Sequence, residues 1–565
     1  MPVLKPTSEW GRCVPPESDH GITTYAPGWD SAVRLRESDP EILSRIVHIY
    51  PRFGPFGPVA KALKAVCAGL QLPEGTAGLF FTSPVALAAA RKHATHPNRK
   101  EHVLKVEELG SRCVDVGGVR LFVVTFPAAK TPGVIGVWQN PGIGVSIRLA
   151  ERILGNIDTL KEVEFSEDGS VPETEYLPEV PAHGKLRERI AGLLRRAPVD
   201  EEKVSLVKAE DVFLYMTGMA AIFAAHNGLL AYRPGAVAIL GIVFHSTIHY
   251  VQESCPDGYK HFGPVDGAGL DVFETWLDVM TSQKKDVSYV FVEFPSNPLL
   301  ASVDIFRLKK LSKKHGFVLL LDDTVGSFAN VDVLPHCDVL VSSLTKSFSG
   351  YANVMGGSLA LNPLSANYPP LSKIWAETFH NELYAADAEV LLRNSEDYLE
   401  RTAVLNRNAA AMAAHLHPLA DDPTSPVLRV LYPPFLKDWK IYRSVLRKPA
   451  TELPEPGAGC LLGVNFDSVG AARAFYDRLG FYPGPHLGAH RTLSFCYNTL
   501  AFGKDAQEAE YHRGYGLLEE SVRVSAGLEE GGDLVDTLED ALLAAGRARG
   551  NVDGVEGVVG SGVAS

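Results

Sequence analysis

From about residue 203 onward the apolar positions fall into short continuous runs separated by amphipathic stretches. The runs at 236–243, 288–293, 318–321 and 339–342 are strand-length and dominated by Val, Ile and Leu, the pattern of strands buried on both faces. Between them, 220–231 and 305–315 carry a helical period. Alternation of this kind predicts an α/β fold with a mostly parallel central sheet. A long helical stretch through 388–416 follows. Strands at 461–465 and 522–525 and a closing helix at 534–543 then predict a smaller C-terminal α/β domain.

The first 200 residues read differently. Residues 1–60 are rich in Pro, Gly and aromatics, including YPRFGPFGP at 50–58, and read as an extended arm docked on something else. Helical periodicity begins at 59–70. Short β-like runs at 103–106, 119–125 and 134–138, an amphipathic helix near 147–157 and an acidic loop at 162–179 follow. The expected organisation is an arm and helix (1–74), an insertion or subdomain of unknown role (75–202), a large domain (203–374), a small domain (375–545) and a tail (546–565). The Gly/Val/Ala/Ser-rich tail has no core pattern and reads as disordered.

With 565 residues, 46% apolar and 21% charged, the chain can bury a sizeable core. Its formal net charge of −13 argues against a nucleic-acid binder, which needs Lys and Arg to displace counterions. No apolar run approaches a membrane span, and the start has no secretory h-region. The seven cysteines are scattered without a C-x-x-C pair, as expected of unbridged thiols in a reducing compartment, and no metal site is expected. A cytoplasmic protein follows from these readings.

The candidate chemistry lies at strand ends. VLVSSLTKSFSG at 339–350 runs from a strand through hydroxyl residues to Lys346, a lysine placed to form a Schiff base, with Ser343 and Thr345 placed to hold a phosphate. Alone, the string fits an exposed loop lysine better. FVLLLDDT at 317–324 is a buried strand ending in Asp322, the kind of anion that a pyridinium nitrogen needs, with Asp323 on the opposite side of the strand. VFLYMTGMAA at 212–221 passes through Thr217, Gly218 and Met219 into a helix, which aims backbone N–H groups at an anion. EFPSNP at 293–298 offers Asn297 at a fourth strand end.

Together these motifs resemble the Cys/Met-metabolism family of pyridoxal-phosphate enzymes, which includes the trans-sulfuration enzymes. The matching strings are TGM at 217–219, PSNP at 295–298, LDDT at 321–324, S-x-TK at 343–346, Asp387 with LLRN at 391–394, RNA at 407–409 and VRVSAGLEE at 522–530. The length between Tyr50 and Thr217 resembles the fungal cystathionine γ-synthase-like branch. The resemblance implies a type I aminotransferase-like fold and pyridoxal 5'-phosphate as cofactor. It implies that Lys346 binds the cofactor and shuttles protons and that Asp322 pairs with the ring nitrogen. Asn297 would lie by the phenolic oxygen, Thr217, Gly218, Met219, Ser343 and Thr345 would hold the phosphate, and Thr324 would line the same site. Arg523 would clamp the substrate carboxylate. Tyr50 and Arg52 match a Y-x-R pair that reaches into the neighbouring subunit's site, so a homodimer or homotetramer with shared sites is expected.

Two positions depart from the family. The ring-stacking tyrosine is replaced in the best register by Phe244, with Tyr250 as a less well placed alternative. A carboxylate-binding serine is replaced by His486 in GPHLG at 484–488. The resemblance implies γ-substitution on an O-acyl-L-homoserine, with cysteine as nucleophile in a cystathionine γ-synthase that serves methionine biosynthesis. The alternatives are a carbon or nitrogen nucleophile in secondary metabolism, lysis of cystathionine, and a catalytically silent regulatory homologue.

Overall fold

The computed structural model describes residues 3–14, 18–165, 172, 174–204 and 206–556. A seven-stranded sheet forms the centre, in the order Val212–Tyr215, Gly357–Leu361, Val339–Ser342, Val318–Asp322, Val287–Glu293, Ala236–Leu240, Tyr259–Phe262. Gly357–Leu361 runs antiparallel to both its neighbours, and every other pairing is parallel. Five of the parallel strands are buried along their whole length. Their uninterrupted apolar runs are what a sheet covered on both faces requires.

The two faces meet different partners, with the period of two that a strand imposes. Leu214, Leu240, Val292, Leu321 and Leu340 pack with the C-terminal part of the chain, including Phe475 and Leu534. Phe213, Ile239, Phe291, Leu320 and Val341 pack in one cluster with Phe80, Phe122, Trp138 and Ile153 of the N-terminal part. Residues 76–163 therefore supply one wall of the central core. They form an antiparallel four-stranded sheet, Thr76–Phe81, Val119–Pro127, Gly110–Val116, Lys161–Val163. The C-terminal domain carries a five-stranded sheet in the order Val427–Leu431, Leu461–Phe466, Ser521–Ser525, Leu493–Phe495, Tyr482–Pro483.

Several elements differ from the sequence-based expectation. Residues 134–138 form helical turns, Thr131–Val134 and Gly136–Gln139, because a five-residue apolar run is too short to fix its own period and Pro132 starts a helix. Residues 103–106 form no strand. The stretch 388–416 breaks into Ala385–Asn394 and Tyr398–Leu416. At the break, the Asp397 carboxylate accepts from Tyr351 Oη at 2.6 Å and Arg401 Nε at 2.7 Å. The closing helix runs Gly531–Glu556 and so includes the first part of the expected tail; the rest of that tail, 557–565, lies outside the described residues. The centre of the acidic loop at 162–179, residues 166–171 and 173, also lies outside them. Among the described residues no helix is long and apolar enough to cross a membrane.

Candidate active site

The C-terminal ends of the parallel strands converge on one edge of the sheet, where open α/β sheets place their ligand crevices. Thr217 caps helix Gly218–Tyr232: its hydroxyl accepts from Ala220 N at 2.9 Å and donates to Gly142 O at 2.9 Å. The N–H groups of the first helical turn lack acceptors within the helix and favour an anion. Gly218 lets the lysine loop come close, since a Cβ there would lie 2.8 Å from Ser343 Cβ. Ser343 N donates in turn to Thr324 Oγ1 at 2.8 Å. The Thr345 hydroxyl donates to Gly356 O at 3.1 Å and accepts from Gly356 N at 3.0 Å, which braces the loop.

Arg52 completes this cradle. It is 2% exposed, donates from Nη1 to Gln139 O and to Ser246 Oγ (3.2 Å), and lies within 5.3 Å of the ring centroids of Tyr50, Phe53 and Phe244. Its Nη2 is buried without a hydrogen-bond partner. Burial pushes its pKa down. A desolvated guanidinium with an unfilled donor demands an anion. A phosphate fits that demand. The resemblance implied that Tyr50 and Arg52 serve a neighbouring subunit; within the single chain described, Arg52 lies over the Phe244 ring and Tyr50 beside Lys346.

Lys346 follows strand Val339–Ser342, with Nζ 5.1 Å from the Tyr50 ring centroid. Burial in the pocket, with repulsion from Arg52 and Arg523, lowers its pKa to about 7. An amine that is about half neutral near pH 7 can act as a nucleophile and proton carrier. The backbone just after it is held by Arg401, which donates to Ser347 O at 3.0 Å and Phe348 O at 3.1 Å. Sequence reasoning did not single out Arg401, because its role depends on the tertiary return of helix Tyr398–Leu416.

Two carboxylates sit side by side at the strand ends, since Glu293 and Asp322 are register partners on adjacent parallel strands. Asp322 Oδ1 accepts from Thr324 N at 2.8 Å, and burial raises its pKa to about 6. Glu293 accepts from Phe244 N at 2.6 Å and Asn297 N at 2.9 Å; burial and then the charge of Asp322 push its pKa well up. Glu293 thus fixes the backbone of two expected site residues at once. Sequence reasoning missed it, although it shares with Asp322 the signal of a carboxylate closing an apolar strand. Asp323 points to the opposite face, and burial followed by Asp322 raises its pKa to about 8.

Arg523, on strand Ser521–Ser525, donates from Nη1 to Asn297 Oδ1 at 2.9 Å and from Nη2 to Pro485 O. Its guanidinium lies 4.2 Å from the Tyr497 ring centroid, and burial lowers its pKa to about 10. Tyr497 had no signal in the sequence. His486 is 4% exposed with Nε2 unpartnered, and burial followed by repulsion from Lys346 and Arg523 pushes its pKa well below the usual value. It is a neutral imidazole beside the lysine and the arginine. Phe244 is half-buried under Arg52 at the start of helix His245–Ser254. Tyr250 is buried instead against Phe223 and His226, bonded to Asn227, away from the cradle.

The pocket so built joins an anion cradle, a lysine of lowered pKa, paired acids and a buried arginine. The family described as Cys/Met metabolism PLP-dependent enzyme matches residues 190–543. An alanine racemase, ungC, of Aspergillus violaceofuscus is 34% identical over 76% of this chain and 75% of its own. A cystathionine gamma-synthase-like enzyme, iboG2, of Amanita muscaria is 32% identical over 96% of this chain and 97% of its own. In fold, the chain is similar to the crystal structure of cystathionine gamma synthase from Xanthomonas oryzae in complex with aminoacrylate and cysteine. That similarity has a TM-score of 0.52 at 21% identity and covers 68% of this chain and 92% of that one.

Proposed function

The chain belongs to the Cys/Met metabolism PLP-dependent enzymes, and we propose that within this family it carries out γ-substitution on an O-acyl-L-homoserine, with Lys346 as the catalytic amine and cysteine as the nucleophile. The observation that carries this reading is Arg523, held by Asn297 Oδ1, Pro485 O and the Tyr497 ring at the edge of the lysine pocket. A guanidinium fixed in that way suits the α-carboxylate of an amino acid.

Pyridoxal phosphate fits the residues present: Arg52 Nη2, Ser343 and the N–H groups of Gly218 and Met219 would hold its phosphate, Asp322 its ring nitrogen and Phe244 its ring face. When bound, it supplies the electron sink that lets protons leave Cα and then Cβ, so that the γ-acyloxy group departs as a carboxylate and a nucleophile adds at Cγ. Lys346 moves those protons. Its pKa of about 7 suits both halves of the task. Asp322 is ionised when a cationic ring nitrogen faces it, while Glu293 stays protonated. His486, a much weaker base than a free imidazole, acts as a hydrogen-bonding wall for the nucleophile rather than as its base.

Product analysis tests this reading. O-Acetylhomoserine and O-succinylhomoserine are incubated with cysteine and with a panel of carbon and nitrogen nucleophiles, and the products are identified by mass spectrometry. Cystathionine supports the proposal, and a carbon- or nitrogen-linked product redirects it to secondary metabolism. Release of an oxoacid from cystathionine identifies a lyase. The likeness to an alanine racemase supports a second reading, amino-acid racemisation. Uptake of deuterium at Cα with loss of chirality from L-alanine, and no product from either ester, would select it.

A further inference from the structure

We propose that Tyr497 binds the substrate through its hydroxyl, which donates to the same α-carboxylate that Arg523 holds. The inference rests on the reading of the Arg523 pocket as the amino-acid site and adds a second residue to it.

Sheet register sets the position of Tyr497. Strand Leu493–Phe495 runs antiparallel to Ser521–Ser525 with Phe495 opposite Arg523, and the chain turns after Cys496 into the short helix Tyr497–Phe502. That turn lays the phenol ring against the guanidinium, with Arg523 Cζ 4.2 Å from the ring centroid. Phe502, on the same helix, meets the ring edge-on at 6.3 Å between centroids. The ring is thus held between the arginine and its own helix.

This packing does not account for the hydroxyl. Tyr497 is 5% exposed, and its Oη is buried with no hydrogen-bond partner. The Asn297 amide lies beside it without closing a bond, and Asn297 Oδ1 already accepts from Arg523 Nη1. A phenylalanine would give the same stacking surface without the cost of burying an unpaired hydroxyl. A hydroxyl left unpaired at the edge of a pocket is one that a ligand can pair.

The neighbours decide what that ligand group is. Burial pushes the phenol up to about 12, so it stays neutral and keeps its proton to donate. The hydrogen bonds of Arg523 go to an amide oxygen and to the Pro485 carbonyl, both neutral, so its buried charge is left for an anion to match. A carboxylate that meets the guanidinium brings acceptor oxygens to the phenol stacked on it. Arg523 then supplies the charge and Tyr497 a neutral donor, and the several lone pairs of one carboxylate accept from both.

Tyr497→Phe in the full-length holoenzyme tests this, because it keeps the ring on Arg523 and removes one oxygen. Two probes are titrated and read by the change in cofactor absorbance. L-2-Aminobutyrate has a carboxylate and no leaving group, and n-propylamine is the same skeleton without the carboxylate. The variant should bind L-2-aminobutyrate about 10-fold more weakly, the scale of a hydrogen bond to a charged group, and propylamine as well as the natural chain does. Without ligand it should keep its absorbance band and melt no lower, since it has lost only an unpaired hydroxyl. Unchanged affinity for L-2-aminobutyrate, or equal weakening of both probes, would overturn the inference. So would a lower Tm, which makes the hydroxyl structural, or a shifted band without ligand, which gives it to the cofactor. The substitution reaction is judged separately by its products. Weakened binding without cystathionine formation upholds the role of Tyr497 and removes that reading, whereas cystathionine formation with unchanged binding does the reverse.

Discussion

Arg523 and Asn297 are joined by a 2.9 Å hydrogen bond across 226 residues of chain, from a strand of the C-terminal sheet to the end of a strand of the central one. The bond places the carboxylate-binding candidate and the cofactor-binding candidate Asn297 in one unit, and the docking of the two domains sets its geometry. Replacing Arg523 with Ala should raise KM for the amino-acid substrate by about 100-fold, in line with roughly 3 kcal/mol for a buried charged contact. Steady-state kinetics beside cofactor absorbance provide the check. Loss of bound cofactor rather than of substrate affinity would assign Arg523 to the cofactor.

Asp322 and Asp323 are adjacent and both buried, but they face opposite sides of the sheet. Asp322→Asn should keep some bound cofactor and lose most activity, about 100-fold or more, because an amide no longer holds the ring nitrogen protonated. Asp323→Asn should leave the cofactor spectrum in place, since its carboxyl, pushed to about 8, is already neutral near pH 7. Spectra and kcat of the two variants side by side settle the assignment, and the opposite ranking would refute it.

Lys346→Ala should abolish turnover, because no other amine in the pocket can replace it. Borohydride reduction of the unmodified protein should fix the pyridoxyl group on Lys346, as peptide mapping would read. A colourless protein that added cofactor does not change would refute the claim.

His486 stands where its relatives are expected to carry a small hydroxyl residue, and its Nε2 is unpartnered. His486→Ser should shift the ratio of kcat/KM between competing nucleophiles by about 1–3 kcal/mol, the usual scale of pocket discrimination. If every nucleophile and the KM for the ester were unchanged, His486 would lie outside the substrate's reach.

Acid should unfold the protein partly through His226. This residue is fully buried, with Nδ1 2.7 Å from Tyr289 Oη, and burial lowers its pKa to about 4. A base whose folded pKa is depressed binds its proton more readily in the unfolded chain, so its contribution is intact above about pH 6.5 and is lost as pH falls toward 4. The loss approaches roughly 3 kcal/mol at full extent. Denaturant titrations at pH 7 and pH 4.5 should show a smaller difference in stability for His226→Leu than for the natural chain. An unchanged difference would remove His226 from the acid response.

The sequence by itself determined whatever is carried by local period or by a short string. Helix Ile305–His315 and strand Val339–Ser342 have the bounds that their patterns give, because buried runs and amphipathic faces are written in consecutive residues. The strand-end motifs at 217–219, 295–298, 321–324 and 343–346 were legible for the same reason, and with them the family and its cofactor. Tertiary structure alone decided what depends on residues far apart in the chain. Glu293 became a clamp on Phe244 and Asn297, Arg401 a brace behind Lys346, and Tyr497 a platform under Arg523 only once separate elements had packed. The break at Asp397 and the helical turns at 131–139 likewise answer to packing, since a run of a few apolar residues fits more than one period. Arg52 is the sharpest case. Its string implied a role, and the contacts with Gln139, Ser246 and Phe244 gave it a buried place, because a buried cation comes to rest where its desolvation is offset, and no local pattern encodes that place.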